Sequence, residues 1–250
     1  MTSKIVVRDA HKTFATKKGE VHVLDDVNLE VREGEFLAIV GPSGCGKSTL
    51  LNCMAAFERI SSGSITIDGR EVERPDSKRV FVFQEAGIFP WFSVWDNVGF
   101  GLHGRSFEEK HDVVMKYIRL VGLEGFEKSY PAELSGGMKQ RVEFARALAV
   151  EPDVLYLDEP FGALDAFTRL EMRREIVRIW RETQKTCILV THDVEEALEL
   201  ADRVAVMTRR PATIHSVIDN PLPRPRDADT DGFRDLKHAI FSILGVERRV

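Results

Sequence analysis

The hydrophobic positions of this chain fall into short apolar runs separated by longer stretches of mixed polarity. Runs such as Phe36–Val40 (FLAIV) and Arg79–Phe83 (RVFVF) carry little or no charge, which is typical of strands buried on both faces of a parallel sheet. Between the runs, hydrophobic residues recur at helical spacing. We therefore predict an α/β protein. Further strands are predicted at Lys4–Arg8, Val21–Val31, Ser64–Asp68, Asp153–Leu157, Thr186–Val190, Arg203–Met207 and Ala212–Ile218.

Several predicted elements have recognisable ends. Ser106 and Glu109 stand at the spacing of a capping box, and Ser135 is a suitable helix N-cap. The charged segment Ala15–Glu20 is predicted to be a loop between the first two strands. Alternating prolines after residue 220 predict an extended linker, followed by an amphipathic tail helix. The amphipathic stretches predict helices at Ser106–Val121, Leu134–Ala149 and Phe167–Glu182.

Length and composition are those of a globular protein with a full core. The chain has 250 residues, of which 43% are hydrophobic and 30% charged, and its formal net charge is −5. This charge argues against nucleic-acid binding, since no overall basic field attracts phosphate backbones. No apolar stretch approaches the roughly 18 residues needed to span a bilayer, and there is no signal core, so we expect the chain in the cytosol. The cysteines Cys45, Cys53 and Cys187 lack the spacing of a disulfide framework or zinc site.

A glycine-rich segment, GPSGCGKST, follows the run Phe36–Val40 and fits the pattern G-x-x-x-x-G-K-[ST]. Its glycines let successive backbone N–H groups face one point, and the helix that opens near Lys47 adds positive potential there. Lys47 would contact the β- and γ-phosphates of a nucleotide, and Ser48 would coordinate Mg²⁺. The predicted phosphate-binding residues are Gly41, Pro42, Ser43, Gly44, Cys45, Gly46, Lys47, Ser48 and Thr49.

Two adjacent carboxylates, Asp158 and Glu159, follow the apolar run Asp153–Leu157. Such a pair at the end of a buried strand is costly unless a ligand uses it. Beside a phosphate loop, the first carboxylate would hold Mg²⁺ and the second would position the attacking water. The alternative for Asp158 and Glu159 is a solvated turn. The alternative for the phosphate loop is a glycine-rich turn in which Lys47 is merely solvated.

Gln84 and His192 each stand just past an apolar run, where the polar side chains of α/β proteins meet ligands. The alternative for His192 is an ordinary satisfied polar residue. Ser135, followed by Gly136 and Gly137, begins a helix whose N-terminus can receive a second anion.

The stretch 86–102 (AGIFPWFSVWDNVGFGL) is unusually aromatic. A segment of this kind is either buried under another element or docks a partner.

Phe14 is predicted to belong to the core, the alternative being that its ring stacks on a base. Cys45 is predicted to fill a small-residue position in the phosphate loop, and the alternative is that its alkylation would block nucleotide binding.

Over about residues 3–220 the chain resembles the ATP-binding subunit of ABC transporters. LSGGMKQR, Leu134–Arg141, lies between the phosphate loop and DVLYLDEP and has the form of this family's signature. Gln84 matches the glutamine loop, Asp165 the D-loop and His192 the switch histidine. The resemblance implies a P-loop NTPase core with a mixed sheet, an antiparallel β subdomain and an inserted α-helical subdomain at about residues 86–150. The ATPase domain would span residues 1–220, with residues 221–250 as linker and tail helix.

The resemblance also implies how ATP and Mg²⁺ are bound. In this family a head-to-tail homodimer encloses each ATP between the phosphate loop of one copy and the signature of the other. The implied residues are Lys47, Glu159 and His192 for catalysis, Ser48, Gln84 and Asp158 for Mg²⁺, Ser135, Gly136 and Gly137 for the partner's ATP, Asp165 for communication between the sites, and Phe14 for stacking on adenine.

VFQEAGIFPW, EPFGALDAFTR and VTHDVEEAL resemble the bacterial nitrate, sulfonate and taurine importer group. This likeness implies a peripheral subunit on the cytoplasmic face of the inner membrane that couples ATP hydrolysis to uptake of a small anionic solute. Permease subunits would dock at about residues 86–100, and a periplasmic or lipid-anchored solute-binding protein would act indirectly. The solute itself is left open.

Three rival functions remain at this point. A soluble ABC ATPase of DNA repair would need a long coiled-coil insertion, whereas the gap between Gln84 and Ser135 holds about one helix pair. A non-enzymatic interaction module would not need Lys47, Glu159 and His192 together. The ATPase of another import or export system is a closer rival.

Overall fold

The computed structural model describes residues 2–17, 19–83 and 87–245. The chain forms two compact units, the first made of Met1–Asp76 with Thr186–Val250 and the second of Ser77–Lys185. In chain order the elements are β1 (Ser3–Thr16), β2 (Gly19–Arg32), β3 (Phe36–Val40), α1 (Lys47–Met54), β4 (Ser62–Ile67), β5 (Arg70–Glu71), β6 (Arg79–Val82), α2 (Val94–Val98), α3 (Phe107–Leu120), a 3₁₀ turn (Pro131–Glu133), α4 (Gly136–Ala149), β7 (Val154–Asp158), α5 (Ala166–Thr183), β8 (Thr186–Thr191), α6 (Val194–Leu200), β9 (Arg203–Met207), β10 (Ile214–Asp219) and α7 (Asp231–Ile243).

An antiparallel sheet in the first unit has the strand order β2-β1-β4-β5. β1 and β2 pair along their whole length, from Ser3 opposite Arg32 to Thr16 opposite Gly19. The prediction of a charged loop over Ala15–Glu20 is therefore wrong, since most of that segment is the paired end of a hairpin. Exposed polar side chains are compatible with such pairing, because an antiparallel strand does not need to bury both faces.

The strands β10, β9, β3 and β8 lie side by side in the first unit. β3 pairs in parallel with both β8 and β9, and β10 pairs antiparallel with β9, so this sheet is mixed. Every residue of β3 and β8 is buried, as expected for central strands covered on both faces. β3 and β9 have the predicted bounds, because their apolar runs begin and end abruptly.

The C-terminal tail packs within the first unit. The Arg226 guanidinium donates to the carbonyls of Leu198 at 3.0 Å and Ala201 at 2.7 Å, at the end of α6. On α7, Lys237 forms an ion pair with Glu195 in the first turn of α6. The linker and α7 therefore hold α6 at both of its ends.

The second unit contains the parallel pair β6–β7 and helices α2 to α5. α3 begins with the predicted capping box: Ser106 Oγ accepts from the Glu109 amide at 3.2 Å, and the Glu109 carboxylate accepts from the Ser106 amide at 2.8 Å. α4 packs against α2 and α3 and buries Val142 and Ala145. α2 was not predicted, because its five residues are too few to display a helical period. Within the described ranges, no helix combines the length and apolar character needed to cross a bilayer.

Ser106→Ala is expected to lower the free energy of unfolding by about 1 kcal/mol, because the Glu109 amide loses its cap. Glu108→Ala is the matched control, since Glu108 is an exposed neighbour in the same turn and takes no part in the capping box. Urea unfolding followed by circular dichroism compares the two variants. Equal unfolding midpoints for the two variants would show that the capping box does not stabilise the second unit.

Candidate functional site

A glycine-rich loop, residues 41–46, joins β3 to α1 in the first unit. α1 begins at Lys47, and its N-cap, Gly46, has no side chain with which to cap it. The N–H groups in the first turn of a helix have no intrahelical partners, and together they carry a partial positive charge. The loop therefore ends in a helix start suited to an anion such as phosphate.

Position 46 requires a glycine because of both its backbone conformation and its surroundings. Its φ is 127°, which side chains other than glycine rarely adopt. A Cβ atom here would lie 2.8 Å from Val23 Cγ1 and 3.2 Å from Leu24 Cδ2, both on β2. Gly44 also has a positive φ, 70°, but a Cβ atom there would meet nothing within 4 Å. Of these two glycines, only Gly46 is packed against another element.

Lys47 is folded back over the loop and is 5% exposed. Its ammonium donates to the carbonyls of Gly41 at 2.9 Å and Pro42 at 3.2 Å. A second cation, missed by the sequence reasoning, is Arg210, whose guanidinium donates to the Gly44 carbonyl at 2.5 Å. Two consecutive arginines just after β9 are the signal that could have identified it. The loop thus combines backbone amides with two positive charges, which is suitable chemistry for phosphate oxygens.

His192 stands at the same sheet edge as the loop. Val40, the last residue of β3, pairs with Thr191, the last residue of β8. Gly41 and His192 therefore follow directly from neighbouring strand ends. His192 is exposed, and the next residue, Asp193, caps α6. The fold brings the predicted γ-phosphate sensor to the carboxyl end of the strand beside the loop, where α/β proteins bind ligands.

Asp158 and Glu159 lie at the carboxyl end of β7 in the second unit, and both are half-buried. Glu159 has φ 48°, a left-handed conformation that costs about 1–3 kcal/mol in a residue other than glycine. Its carbonyl accepts from the Gly162 amide at 3.1 Å, which holds it in a tight turn. Strain of this kind occurs at functional sites, and here it coincides with a carboxylate at the end of a buried strand.

The start of α4 carries the predicted signature residues. Ser135 caps the helix, its Oγ accepting from the Met138 amide at 3.3 Å. A Cβ atom on buried Gly137 would lie 2.6 Å from Thr168 Cγ2 on α5. Asp165 caps α5 and accepts from the Thr168 hydroxyl at 2.6 Å, and this hydrogen bond lowers the pKa of Asp165. Signature and D-loop residues therefore meet through Thr168 within the second unit.

Gln84 lies outside the described residues, but the chain on either side of it binds a buried carboxylate that the sequence reasoning missed. Glu143 Oε1 accepts from the amide of Phe83 at 3.4 Å, and a Cβ atom on Gly87 would lie 3.3 Å from the same oxygen. Burial raises the pKa of Glu143 to about 7, against the lowering effect of the neighbouring backbone amides and of Arg146. A glutamate among the apolar residues of α4 is the signal that could have identified it.

Phe89, Trp91, Phe92 and Phe100 form a cluster that we call the aromatic surface. Their neighbouring ring centroids lie between 4.6 and 6.2 Å apart. Trp91 is 67% and Phe100 44% exposed. Beneath them, the buried Asn97 amide donates to the carbonyls of Phe89 and Phe92 at 3.1 Å and accepts from the Phe89 amide at 2.8 Å. The aromatic stretch is thus exposed and held in place, as a docking surface requires.

Phe14 is not a core residue, contrary to the prediction. It is half-buried, and Lys12 Nζ lies 4.4 Å from its ring centroid. β1 continues past the buried part of its sheet, so the ring stays partly exposed.

Cys45 of the phosphate loop is 2% exposed, and its sulfur would lie 3.1 Å from a Cβ atom on Gly41. This burial supports the prediction that Cys45 fills a small-residue position in the phosphate loop.

Known proteins are similar to this chain in both sequence and fold. Residues 24–162 match the family model for ABC transporters. The chain belongs to this family. The aliphatic sulfonates import ATP-binding protein of Bacillus cereus (strain ZK / E33L) is 43% identical over 95% of this chain and 94% of that protein. The nitrate import ATP-binding protein of Synechococcus elongatus is 46% identical over 87% of this chain and 81% of that protein.

Two solved structures of one ABC cassette resemble this chain. The dimeric structure of a bacterial ABC transporter cassette has a TM-score of 0.74 at 30% identity and covers 89% of this chain and 99% of its own. A post-hydrolysis cassette bound to ADP and Pi has a TM-score of 0.74 at 29% identity, with the same coverage. The predicted fold class, with its P-loop NTPase core, mixed sheet, antiparallel β subdomain and α-helical subdomain, is confirmed. As an ABC ATP-binding protein the chain is an ATPase, so the non-enzymatic alternative is wrong.

The oxygen donors of this ABC ATPase fit Mg²⁺. Ser48 presents an exposed hydroxyl at the start of α1, and Asp158 a carboxylate at the end of β7. In the part of the chain that the structure describes, no cluster of three or more histidine, cysteine, aspartate or glutamate side chains is arranged to hold a metal by itself. Mg²⁺ commonly takes one or two protein oxygens and completes its shell with phosphates and water. The oxygen of each residue is of the kind that such an ion accepts when it binds together with a nucleotide.

Gly46→Ala is expected to weaken ATP binding at least about tenfold, about 1.4 kcal/mol, because the loop must relieve both the positive φ and the contact with Val23. Gly44→Ala is the matched control, since it shares the positive φ but has open space around it. Titration with a fluorescent ATP analogue measures both variants. Equal losses would mean that the contact with Val23 does not position the loop.

Proposed function

We propose that this chain is the ATP-hydrolysing subunit of a bacterial importer that takes up a small anionic solute through a separate permease. The observation that carries the proposal is the similarity to ATP-binding proteins named for sulfonate import, nitrate import and bicarbonate transport, at 43%, 46% and 44% identity. The aromatic surface supports it, because it offers a place at which a permease docks. The identity of the solute is decided in other subunits.

ATP hydrolysis in this proposal uses the predicted catalytic and binding residues. Lys47 and the first amides of α1 bind the β- and γ-phosphates, and Phe14 stacks on the adenine. Glu159 accepts a hydrogen bond from the attacking water and directs its oxygen at the γ-phosphorus, where the bond to the ADP oxygen breaks and phosphate leaves. His192 contacts the γ-phosphate and so distinguishes ATP from ADP.

Ser48, Gln84 and Asp158 would hold Mg²⁺ in this scheme. When bound there, the ion neutralises the charge on the β- and γ-phosphate oxygens. The support for Ser48 and Asp158 is their position at the start of α1 and the end of β7. Gln84 rests on its place in the sequence.

Two copies of the chain bind ATP head to tail. Each copy has two helix starts that can receive an anion, at Lys47 in the first unit and at Ser135 in the second. Each ATP lies between the phosphate loop of one copy and Ser135, Gly136 and Gly137 of the other, and Asp165 links the two sites. The similarity to a dimeric ABC cassette supports this assembly. ATP favours the closed dimer because its γ-phosphate adds contacts that hydrolysis removes.

The permease docks at about residues 86–100, a range that includes the aromatic surface. Exposed aromatic side chains in a fixed arrangement are typical anchors of protein interfaces. The subunit would then lie peripherally on the cytoplasmic face of the inner membrane, and the solute-binding protein would act on it only through the permease. No nucleic acid is involved, in keeping with a net charge of −5.

The alternatives are the ATPase of another import or export system and a soluble ABC ATPase that is not coupled to transport. An importer requires a permease together with a solute-binding protein, whereas an exporter needs no such binding protein. Reconstitution with candidate permeases distinguishes them, because only the true partner should stimulate ATP hydrolysis.

Glu159→Gln is expected to bind ATP without hydrolysing it, so that the closed dimer accumulates. Light scattering with ATP and Mg²⁺ should then give the mass of two chains. Adding Ser135→Arg should restore the monomer, because the larger side chain blocks the helix start that receives the partner's ATP. A monomer at saturating ATP, both alone and with the permease, would contradict the head-to-tail assembly, and hydrolysis at the normal rate would remove Glu159 from its role.

Trp91→Ala is expected to leave basal ATP hydrolysis largely intact and to abolish its stimulation by the permease, because Trp91 lies on the docking surface and not among the nucleotide residues. Phe57→Ala is the control, since Phe57 is 52% exposed but belongs to the first unit. ATPase assays in detergent with and without permease measure both rates. Equal loss of basal and stimulated activity would contradict the docking assignment.

A further inference from the structure

The three glycines of the phosphate loop are held in different ways. A Cβ atom on Gly41 would lie 3.0 Å from the Met207 carbonyl oxygen, and one on Gly46 would lie 2.8 Å from Val23 Cγ1. Close packing therefore holds the loop at these two positions. Gly44, between them, has φ 70° and open space where a Cβ atom would stand. Because glycine has the greatest backbone freedom of all residues, a contact other than packing has to hold the loop at Gly44.

Arg210 makes such a contact. Its guanidinium donates to the Gly44 carbonyl at 2.5 Å. The peptide bond between Gly44 and Cys45 is trans, so this carbonyl and the Cys45 amide point in opposite directions. The Cys45 amide donates to the Pro42 carbonyl at 3.2 Å, and the Lys47 ammonium donates to the same carbonyl at 3.2 Å. By holding one carbonyl, Arg210 therefore also orients the amide that shares an acceptor with Lys47.

Arg210 lies on a turn between β9 and β10, residues 208–213, which we call the β9–β10 turn. Its two ends are bonded to each other: the Thr208 amide donates to the Thr213 carbonyl, and the Thr213 amide donates to the Thr208 hydroxyl, both at 3.0 Å. The Thr213 hydroxyl donates to the Asp26 carbonyl on β2 at 3.0 Å. The guanidinium is thus attached to a turn that is itself fixed to the antiparallel sheet.

The β9–β10 turn is also joined to β2 beside the phosphate loop. Ala212 is fully buried and exchanges two backbone hydrogen bonds with β2, one of them from its amide to the Val23 carbonyl at 2.9 Å. Val23 is the residue against which Gly46 packs. The turn therefore supports the loop at two points, at Gly46 through β2 and at Gly44 through Arg210.

We propose that Arg210 is a positioning residue that holds the Gly44–Cys45 peptide of the phosphate loop in the orientation that phosphate binding requires. The inference deepens the proposed function and rests on it, because that function assigns the nucleotide phosphates to this loop. Arg210 acts through the Gly44 carbonyl and not through its charge alone. Without the guanidinium, the backbone at Gly44 rotates more freely, so nucleotide binding has to supply the free energy of ordering it.

Hydrogen exchange of the Cys45 amide in the nucleotide-free protein tests this role without any measurement of activity. Arg210→Ala should speed this exchange about fivefold, because the peptide loses one hydrogen bond. Arg209→Ala is the matched control and should leave the exchange unchanged. It removes the same charge from the neighbouring exposed position, and among the residues that the structure describes the Arg209 side chain makes no hydrogen bond to the loop.

The amide of Ile39, buried in the middle of β3, reports on opening of the sheet in the same experiment. Its exchange should stay unchanged in both arginine variants. Faster exchange of Ile39 together with Cys45 would mean that the first unit has merely loosened, and would overturn the inference. Unchanged exchange of Cys45 in Arg210→Ala, or equal acceleration in Arg209→Ala, would overturn it as well.

Binding of a fluorescent ATP analogue in EDTA separates the inference from the proposed function. Arg210→Ala should weaken binding about fivefold, and Arg209→Ala should stay within about twofold of the wild type. Equal losses in the two variants would mean that Arg210 supplies only charge, and would overturn the inference. A loss in Lys47→Ala with none in Arg210→Ala would also overturn the inference and leave the proposed function standing. Unchanged binding in Lys47→Ala would instead overturn the phosphate site of the proposed function, and the inference with it.

Discussion

The close contact between Gly46 and β2 is the constraint on which the nucleotide site depends. The backbone turns from β3 into α1 with φ 127° at Gly46, and Val23 leaves no space there for a Cβ atom. Because β3 is buried along its whole length, its carboxyl end is a fixed starting point for this turn. The turn leads into the uncapped start of α1, and the Lys47 ammonium folds back onto the carbonyls of Gly41 and Pro42. Phosphate binding is thus mainly a property of backbone geometry, to which the side chains add charge.

Two costly features of the second unit lie on elements that carry its ATPase motifs. Glu159 adopts a left-handed conformation at the end of β7, and the Glu143 carboxylate is buried on α4, the signature helix. Each costs free energy that an ordinary strand end or helix would not require. Left-handed residues also occur at Glu151 and Gln184 of the same unit, so it is the combination of strain with a carboxylate at a strand end that distinguishes Glu159.

Sequence reasoning succeeded where one physical effect dominates a short segment. β3 and β9 were predicted with their observed bounds, because complete burial makes a strand continuously apolar. It failed for Ala15–Glu20, because an exposed hairpin end is polar like a loop and is extended only through pairing with its partner strand. The error over Phe14 has the same origin, since the ring lies on the part of β1 that extends beyond the core.

By itself, the sequence determined the family, the phosphate loop, the carboxylate pair and the signature, because each is a local pattern whose spacing is fixed by the chemistry it performs. Only the tertiary structure decided which distant residues support them. Arg210 reaches the Gly44 carbonyl across 166 positions of the chain, and Glu143 reaches the Phe83 amide across 60. The sequence alone does not say which residues far apart along the chain lie close together in the fold. It is the packing of buried elements, such as α4 against β6, that places a charged side chain beside a loop so far away in sequence.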